Sequence, residues 1–138
     1  MAGEHCDMQF ILWSQLRIQN KPVNEYCRLN NIKWDGNIMN DIHLKNKAYG
    51  AEIIKGKHFT NYGYTSCVLY LIDSILNKNE TIVSVCCEMK GEFDITNVAM
   101  SLPTIINQEG IKEKIVDAYS ESEIMQLHKV ADYLKQFS

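Results

Sequence analysis

The sequence predicts an α+β fold in which an antiparallel sheet packs with long helices and a C-terminal docking helix. Apolar residues recur every three to four positions in much of the first half of the chain, which is typical of helices. In residues 83–89 and again in residues 98–102 they recur at every second position, which is typical of strands. Helices and strands also come in separate runs, without the βαβ alternation of a parallel sheet, and this favours an antiparallel arrangement.

The segment QFILWSQLRIQNKPV, residues 9–23, alternates bulky and polar side chains and indicates a strand or hairpin. It ends in the turn signal Asn20-Lys21-Pro22, and a short helix is expected over residues 24–29. A longer helix is expected after Trp34, because four apolar residues share one helical face: Ile38, Ile42, Tyr49 and Ile53. Gly56 is the expected C-terminal stop of this helix.

A second long helix is expected next, with Thr60 or Asn61 as its N-cap. Its apolar stripe consists of Tyr64, Cys67, Val68, Leu71, Ile72, Ile75 and Leu76. The period then changes to two in TIVSVCCEMK and again in NVAMSLP, so each segment predicts a strand with one apolar face. Gly91 and residues 107–110 supply turns, and GIKEKIV is expected to form a further strand.

The last segment, SESEIMQLHKVADYLKQF, predicts a helix that docks on the sheet. Ser120 and Glu123 have the spacing of a capping box, in which each side chain binds the other residue's backbone N–H. The apolar residues behind the cap form one stripe that we expect to be buried: Ile124, Leu127, Ala131 and Leu134.

Length and composition limit the class of protein. A chain of 138 residues has the length of one domain, so residues 1–138 are expected to form a single unit. Hydrophobic residues at 46% and charged residues at 22% are close to the globular average and indicate neither a disordered nor a fibrous class. A net charge of -3 without a basic cluster argues against a nucleic-acid partner. No membrane span or signal peptide is recognisable, so we expect a cytoplasmic location.

The motifs of several common sites are missing from the sequence. The five cysteines have no CxxC spacing, so we expect free thiols and no metal site. The seven glycines form neither G-x-G-x-x-G nor a P-loop, so no cofactor-binding residue is expected in this chain. Of the four histidines, His43 and His128 lie in helical patterns and are expected at the surface or at its boundary. His58, in the turn between the long helices, is either a helix cap or a site residue.

The remaining histidine, His5, lies in the N-terminal segment GEHCD. From the residues alone it is either part of a disordered terminus or an acid/base group, since imidazole titrates near neutral pH. The segment resembles the GEHGD signature of the L-lactate and malate dehydrogenase family. Further segments resemble that family's C-terminal substrate domain in order and spacing: WSQLRI, KGKHFTNYG, ETIVSVCCEMKGEFDITNVAMSLPTIINQEGI and the final helix. Within the family, HFTNYG is more similar to L-lactate and L-2-hydroxyacid dehydrogenases.

The resemblance implies an NAD-dependent dehydrogenase of small 2-hydroxy or 2-oxo acids, in which His5 accepts or donates the proton of the substrate oxygen. It also implies that Thr60 is a substrate-binding residue, although Thr60 is equally a candidate helix cap. The family's cofactor domain, its carboxylate-binding Arg and the Asp that orients the catalytic His all precede the signature and have no counterpart in this chain. We therefore expect the chain to be inactive in isolation.

Two further expectations follow from the resemblance. One is that the chain forms a homo-oligomer. The alternative to the dehydrogenase function is that of a truncated, non-catalytic homologue that acts as an oligomerisation or interaction module. The other concerns Cys6, where the family has a glycine, and Met8, where it has a small polar residue. A side chain at position 6 costs about 1–2 kcal/mol if the backbone there needs a positive φ, and it could then reorient His5.

Overall fold

The computed structural model describes residues 1–5, 8–77 and 79–137. Its helices are α1 (Val23–Leu29), α2 (Gly36–Lys57), α3 (Asn61–Leu76) and α4 (Glu121–Leu134). Its strands are β1 (Arg17–Ile18), β2 (Lys21–Pro22), β3 (Thr81–Lys90), β4 (Thr96–Asn107) and β5 (Gly110–Lys114). The predicted α+β fold is confirmed, and the helices and strands come in the expected order.

The N-terminal segment forms a smaller hairpin than its alternating pattern predicts. Residues Trp13–Gln15 form a 3-10 turn, and only β1 and β2, of two residues each, pair as an antiparallel hairpin. Gln19 and Asn20 connect these strands with positive φ angles of 51° and 62°. Positive φ at both central residues is typical of a tight hairpin turn, so the turn lies one residue earlier than its sequence signal.

The main sheet has three antiparallel strands in the order β3-β4-β5. β3 pairs with β4 from Thr81, opposite Ile106, to Lys90, opposite Thr96. The N-terminal segment extends the sheet, because Gly3 and Ser101 exchange backbone hydrogen bonds of 3.0 and 2.9 Å. This pairing places the residues before His5 against the centre of the sheet.

The core lies between one face of this sheet and α4. Met89, Met100 and Leu102 from the sheet pack in one cluster with Leu127 and Val130 from α4, and each is at most 1% exposed. Full burial of such a side chain contributes about 1.5–3 kcal/mol. The predicted docking of the final helix is therefore confirmed. Leu127 and Ala131 of the predicted stripe are buried together with Val130, whereas Ile124 and Leu134 are only half-buried.

The two long helices are exposed although their sequence patterns form as predicted. α2 has no buried residue, and Ser74 is the only buried residue of α3. Their apolar stripes are consequently not covered by the part of the chain that the structure describes. No helix within these described ranges has both the length and the apolar character needed to cross a membrane.

Gly56 does not end α2, contrary to the sequence-based expectation. The helix continues to Lys57, and His58 adopts the left-handed conformation, with φ 66°, at the C-terminal end. The His58 N–H donates to the carbonyl of Ile54 over 2.7 Å, which satisfies one of the last carbonyls of the helix. The stop is thus set by a residue in a conformation that usually favours glycine.

Candidate active site

His5 and Thr60 line the same cleft although they are far apart in the sequence. The cleft has a volume of about 770 Å³ and lies at the C-terminal end of α2 and the start of α3. Both side chains are exposed. The structure therefore brings together the two site residues that the resemblance singles out.

Thr60 has the position of the N-cap of α3, but its side chain makes no capping hydrogen bond. Its φ of -111° and ψ of 15° are not the extended backbone that is typical of a capping residue. The Thr60 hydroxyl is therefore not occupied by the helix end and can bind a molecule in the cleft.

Aromatic side chains form much of the cleft wall. Tyr49 from α2, Phe59 before α3, and Tyr62 and Tyr64 from α3 all line it. The rings of Phe59 and Tyr62 pack with centroids 6.3 Å apart. In the sequence, Tyr49 and Tyr64 are recognisable only as members of apolar helix faces. For Tyr64, its position four residues after Thr60 in the first turn of α3 is a signal that could have identified it.

Three glycines inside helices also line the cleft: Gly50 and Gly56 in α2 and Gly63 in α3. A glycine inside a helix costs about 1 kcal/mol relative to alanine. A Cβ atom added at any of the three would meet nothing within 4 Å. Close packing against the described residues does not explain these glycines, whereas space for a bound molecule or another polypeptide segment would.

Charges of both signs stand at the cleft. Glu52 and Lys57, both exposed residues of α2, line it together with His5. An ammonium group can attract the carboxylate of a small organic acid, and an imidazole can exchange a proton with a hydroxyl oxygen of the same molecule. The arrangement is thus suited to binding a small polar acid beside an aromatic wall.

The other three histidines do not line this cleft. His58 ends α2 and is not among the lining residues of the cleft, and His128 is exposed on α4. His43 is half-buried on α2 and lines a different cleft. Cys6, which the resemblance places next to His5 in place of a glycine, lies outside the described residues.

That second cleft, of about 740 Å³, lies between the N-terminal segment, the start of α2 and α4. It contains Trp13 and Trp34, whose rings meet edge to face with centroids 5.5 Å apart. Its buried carboxylate, Glu123, already accepts hydrogen bonds from the backbone N–H groups of Ser14 and Ser120. Neither His5 nor Thr60 lines this cleft.

The described residues offer no group of three or more His, Cys, Asp or Glu side chains that could hold a metal ion. The four cysteines that the structure describes are free thiols: Cys27, Cys67, Cys86 and Cys87. The expectation of free thiols is confirmed at these four positions.

Comparisons with known proteins agree with this fold. Residues 1–137 match the family model of the lactate/malate dehydrogenase alpha/beta C-terminal domain. An L-lactate dehydrogenase of Clostridium perfringens is 32% identical over 135 residues, which are 98% of this chain and 43% of that protein. The chain thus spans less than half the length of the curated relatives that it matches.

Solved structures give the same assignment. A lactate dehydrogenase from a Medee basin deep-sea metagenome library superposes with a TM-score of 0.89 at 26% identity, over 98% of this chain and 43% of that one. The minor L-lactate dehydrogenase from Enterococcus mundtii gives a TM-score of 0.88 at 26% identity and the same coverage. The sequence match and the shared fold together show that this chain belongs to the lactate/malate dehydrogenase family and corresponds to its C-terminal domain.

Proposed function

We propose that this chain is the substrate-binding and catalytic half of an NAD-dependent L-2-hydroxyacid dehydrogenase, with L-lactate as its preferred substrate. The observation that carries the proposal is the shared cleft of His5 and Thr60. The relatives named L-lactate dehydrogenase support the choice of substrate. In this proposal residues 1–138 act as one domain in the cytoplasm.

His5 is the proposed acid/base group. Its imidazole accepts the proton of the substrate hydroxyl when the 2-hydroxy acid is oxidised, and the imidazolium returns a proton to the ketone oxygen in the reverse direction. The hydroxyl of Thr60, which makes no capping bond, binds the substrate across the cleft. Lys57 adds a positive charge to the cleft and thus favours an anionic substrate.

NAD would supply the acceptor for the hydride that leaves the substrate carbon. The described residues do not fit this cofactor, because their glycines with positive φ, Gly3, Gly91 and Gly110, lie in three separate segments. A pyrophosphate is held instead by closely spaced glycines at one helix start. We therefore assign its binding to sequence outside this chain, and propose that the isolated chain is inactive because a proton acceptor alone performs no redox chemistry.

The proposal can be tested by joining the cofactor domain of a related L-lactate dehydrogenase in front of Gly3. In this protein we expect His5→Asn to lower the turnover of pyruvate about 100-fold or more, which is what a positioned acid/base group contributes. NADH binding should be almost unchanged. The matched control is His128→Asn on exposed α4, which should retain full turnover, and full turnover in His5→Asn would refute the role of His5.

The exposure of α2 and α3 favours a second function, that of an association module forming homo-oligomers. Large apolar side chains on α3 are strongly exposed, among them Tyr62 at 71%, Tyr64 at 73% and Leu76 at 72%. Apolar patches of this kind mark protein–protein contacts. The expected contact is a second copy of this chain or a cofactor domain, either of which would cover the rim of the His5 cleft.

Light scattering across a concentration series tests this second function. Leu69 on α3 and Met125 on α4 are both 59% exposed, so Leu69→Lys and Met125→Lys form a matched pair. Leu69→Lys should weaken association, whereas Met125→Lys should not. A species that remains at 15.9 kDa at every concentration would exclude self-association.

A further inference from the structure

The cleft of His5 and Thr60 is larger than a small acid requires. Its volume of about 770 Å³ lies within the range of about 300–1,000 Å³ that is typical of pockets for drug-sized ligands. Pyruvate, in contrast, carries a single methyl group as its side chain. In the proposed function a cofactor ring shares the cleft, so the volume alone does not define the substrate. The substrate range depends instead on which groups lie beside Thr60.

Gly63 and Tyr64 lie on the same side of α3 as Thr60, because residues three and four positions apart are neighbours on a helix surface. The Tyr64 N–H donates to the Thr60 carbonyl over 3.3 Å, which closes the first helical turn. Gly63 has no side chain, and a Cβ atom there would meet no described atom within 4 Å. Tyr64 is 73% exposed and lines the cleft. The neighbours of Thr60 are therefore an open space and an aromatic ring.

α2 supplies a second surface of the same kind. Tyr49, Ile53 and Gly56 are spaced by four and three residues, so they share one side of α2, and all three line the cleft. Ile53 is 45% exposed, and a Cβ atom added at Gly56 would also meet no described atom within 4 Å. We call the following residues the side-chain subsite: Ile53, Gly56, Gly63 and Tyr64. They combine free space with uncharged walls.

We propose that the side-chain subsite binds the aromatic side chain of larger 2-oxo and 2-hydroxy acids, which the protein accepts in addition to pyruvate and L-lactate. In the proposed function, on which this assignment rests, His5 and Thr60 bind the oxygen-bearing end of the substrate and Lys57 attracts its carboxylate. An uncharged ring suits the uncharged subsite. It also packs favourably on Tyr64, since aromatic rings attract each other in offset and edge-to-face arrangements.

The substrate range is tested in the protein whose cofactor domain comes from a related L-lactate dehydrogenase, with that unmodified enzyme as the reference. The measured quantity is the ratio of kcat/KM for phenylpyruvate to kcat/KM for pyruvate. Both proteins share one cofactor domain, so a difference in this ratio comes from the domain that this chain supplies. We expect the ratio to be at least about tenfold higher in the joined protein, the lower end of what a hydrophobic pocket gives for one methylene group.

Three substitutions locate the subsite. Gly63→Leu fills the free space with a good helix former and Tyr64→Ala removes the ring, so each should lower the ratio about tenfold. Tyr64→Phe keeps the ring and should retain the ratio. The matched control is Gly36→Leu at the start of α2, because Gly36 also has free space around it but does not line the cleft. It should leave the ratio unchanged, and circular dichroism confirms that each variant folds.

A binding measurement on the 138-residue chain tests the subsite independently of catalysis. In heteronuclear NMR spectra we expect phenyllactate to shift the amide signals of Gly63 and Tyr64. L-lactate at the same concentration lacks the ring and should shift them less.

Two kinetic outcomes would overturn the subsite. One is a ratio no higher than that of the reference enzyme. The other is an equal fall in kcat/KM for both acids in Gly63→Leu and Tyr64→Ala, which would assign the space to a neighbouring polypeptide segment. Absence of pyruvate turnover in the joined protein would instead refute the proposed dehydrogenase function. The NMR titration then decides on the subsite alone, and unshifted Gly63 and Tyr64 signals would refute it.

Discussion

The backbone N–H of Ser14 donates a hydrogen bond to the Oε1 atom of Glu123, with the two atoms 3.0 Å apart. The other carboxylate oxygen accepts from the backbone N–H of Ser120 over 2.8 Å, which completes the capping box of α4. One buried carboxylate therefore joins the start of the last helix to the segment that follows His5. The capping residue Glu123 therefore also forms a tertiary contact with a residue that lies 109 positions earlier in the sequence.

Replacing Glu123 should destabilise the fold. Glu123→Ala removes the capping bond and leaves the Ser14 N–H without its acceptor, so we expect the free energy of unfolding to fall by about 2–3 kcal/mol. Urea denaturation followed by circular dichroism measures the change. The control is Glu121→Ala, an exposed position in the same helical turn, and an equal loss in both variants would contradict this role of Glu123.

The same carboxylate should make stability depend on pH. Burial tends to raise the pKa of Glu123, but hydrogen bonds from Ser14 and Ser120 outweigh it and hold the pKa below its ordinary value. Stability from this group is therefore fully present above the ordinary pKa and is lost as the pH falls through the lower folded pKa. Denaturation series in the acidic range should show a shallower pH dependence for Glu123→Gln than for the unmodified chain, and an unchanged slope would contradict the linkage.

His58 should be better replaced by glycine. Its φ of 66° costs a residue with a Cβ atom about 1–2 kcal/mol of folding free energy. Glycine avoids this cost, but it loses more backbone entropy on folding, which cancels part of the gain. We expect His58→Gly to raise the free energy of unfolding by about 1 kcal/mol, measured by thermal or urea denaturation. The control, Lys57→Gly in the last helical position, should lower it by a similar amount. A loss of stability in His58→Gly would show that its imidazole makes a more valuable contact.

Thr60 can be tested for a binding role separately from a capping role. In the protein joined to a cofactor domain, Thr60→Ala should lower kcat/KM for pyruvate about tenfold, which corresponds to one lost hydrogen bond, while Thr60→Ser should retain it. Because the hydroxyl makes no capping bond, the free energy of unfolding should change by less than about 0.5 kcal/mol. A large loss of stability with unchanged kinetics would instead assign Thr60 to the helix end.

Local features of the structure could be predicted from the sequence because short-range chemistry decides them. The capping box at Ser120, the two-residue period of β3 and β4, and the helical periods of α2 and α3 all depend on neighbours a few positions away. The exact end of α2 could not be predicted in this way. Gly56 is the better left-handed residue, but the helix continues past it to His58, whose N–H binds the Ile54 carbonyl.

The sequence by itself determined the order of the helices and main strands, the family resemblance and the identity of His5 and Thr60 as candidate residues. Only the tertiary structure brought these two side chains to one cleft, because their approach depends on how the end of α2 and the start of α3 stand beside the N-terminal segment. It also decided which apolar stripes are buried. Periodicity shows that a helix has an apolar face, but burial requires a partner surface: the sheet supplies one for α4, while α2 and α3 leave their apolar faces exposed.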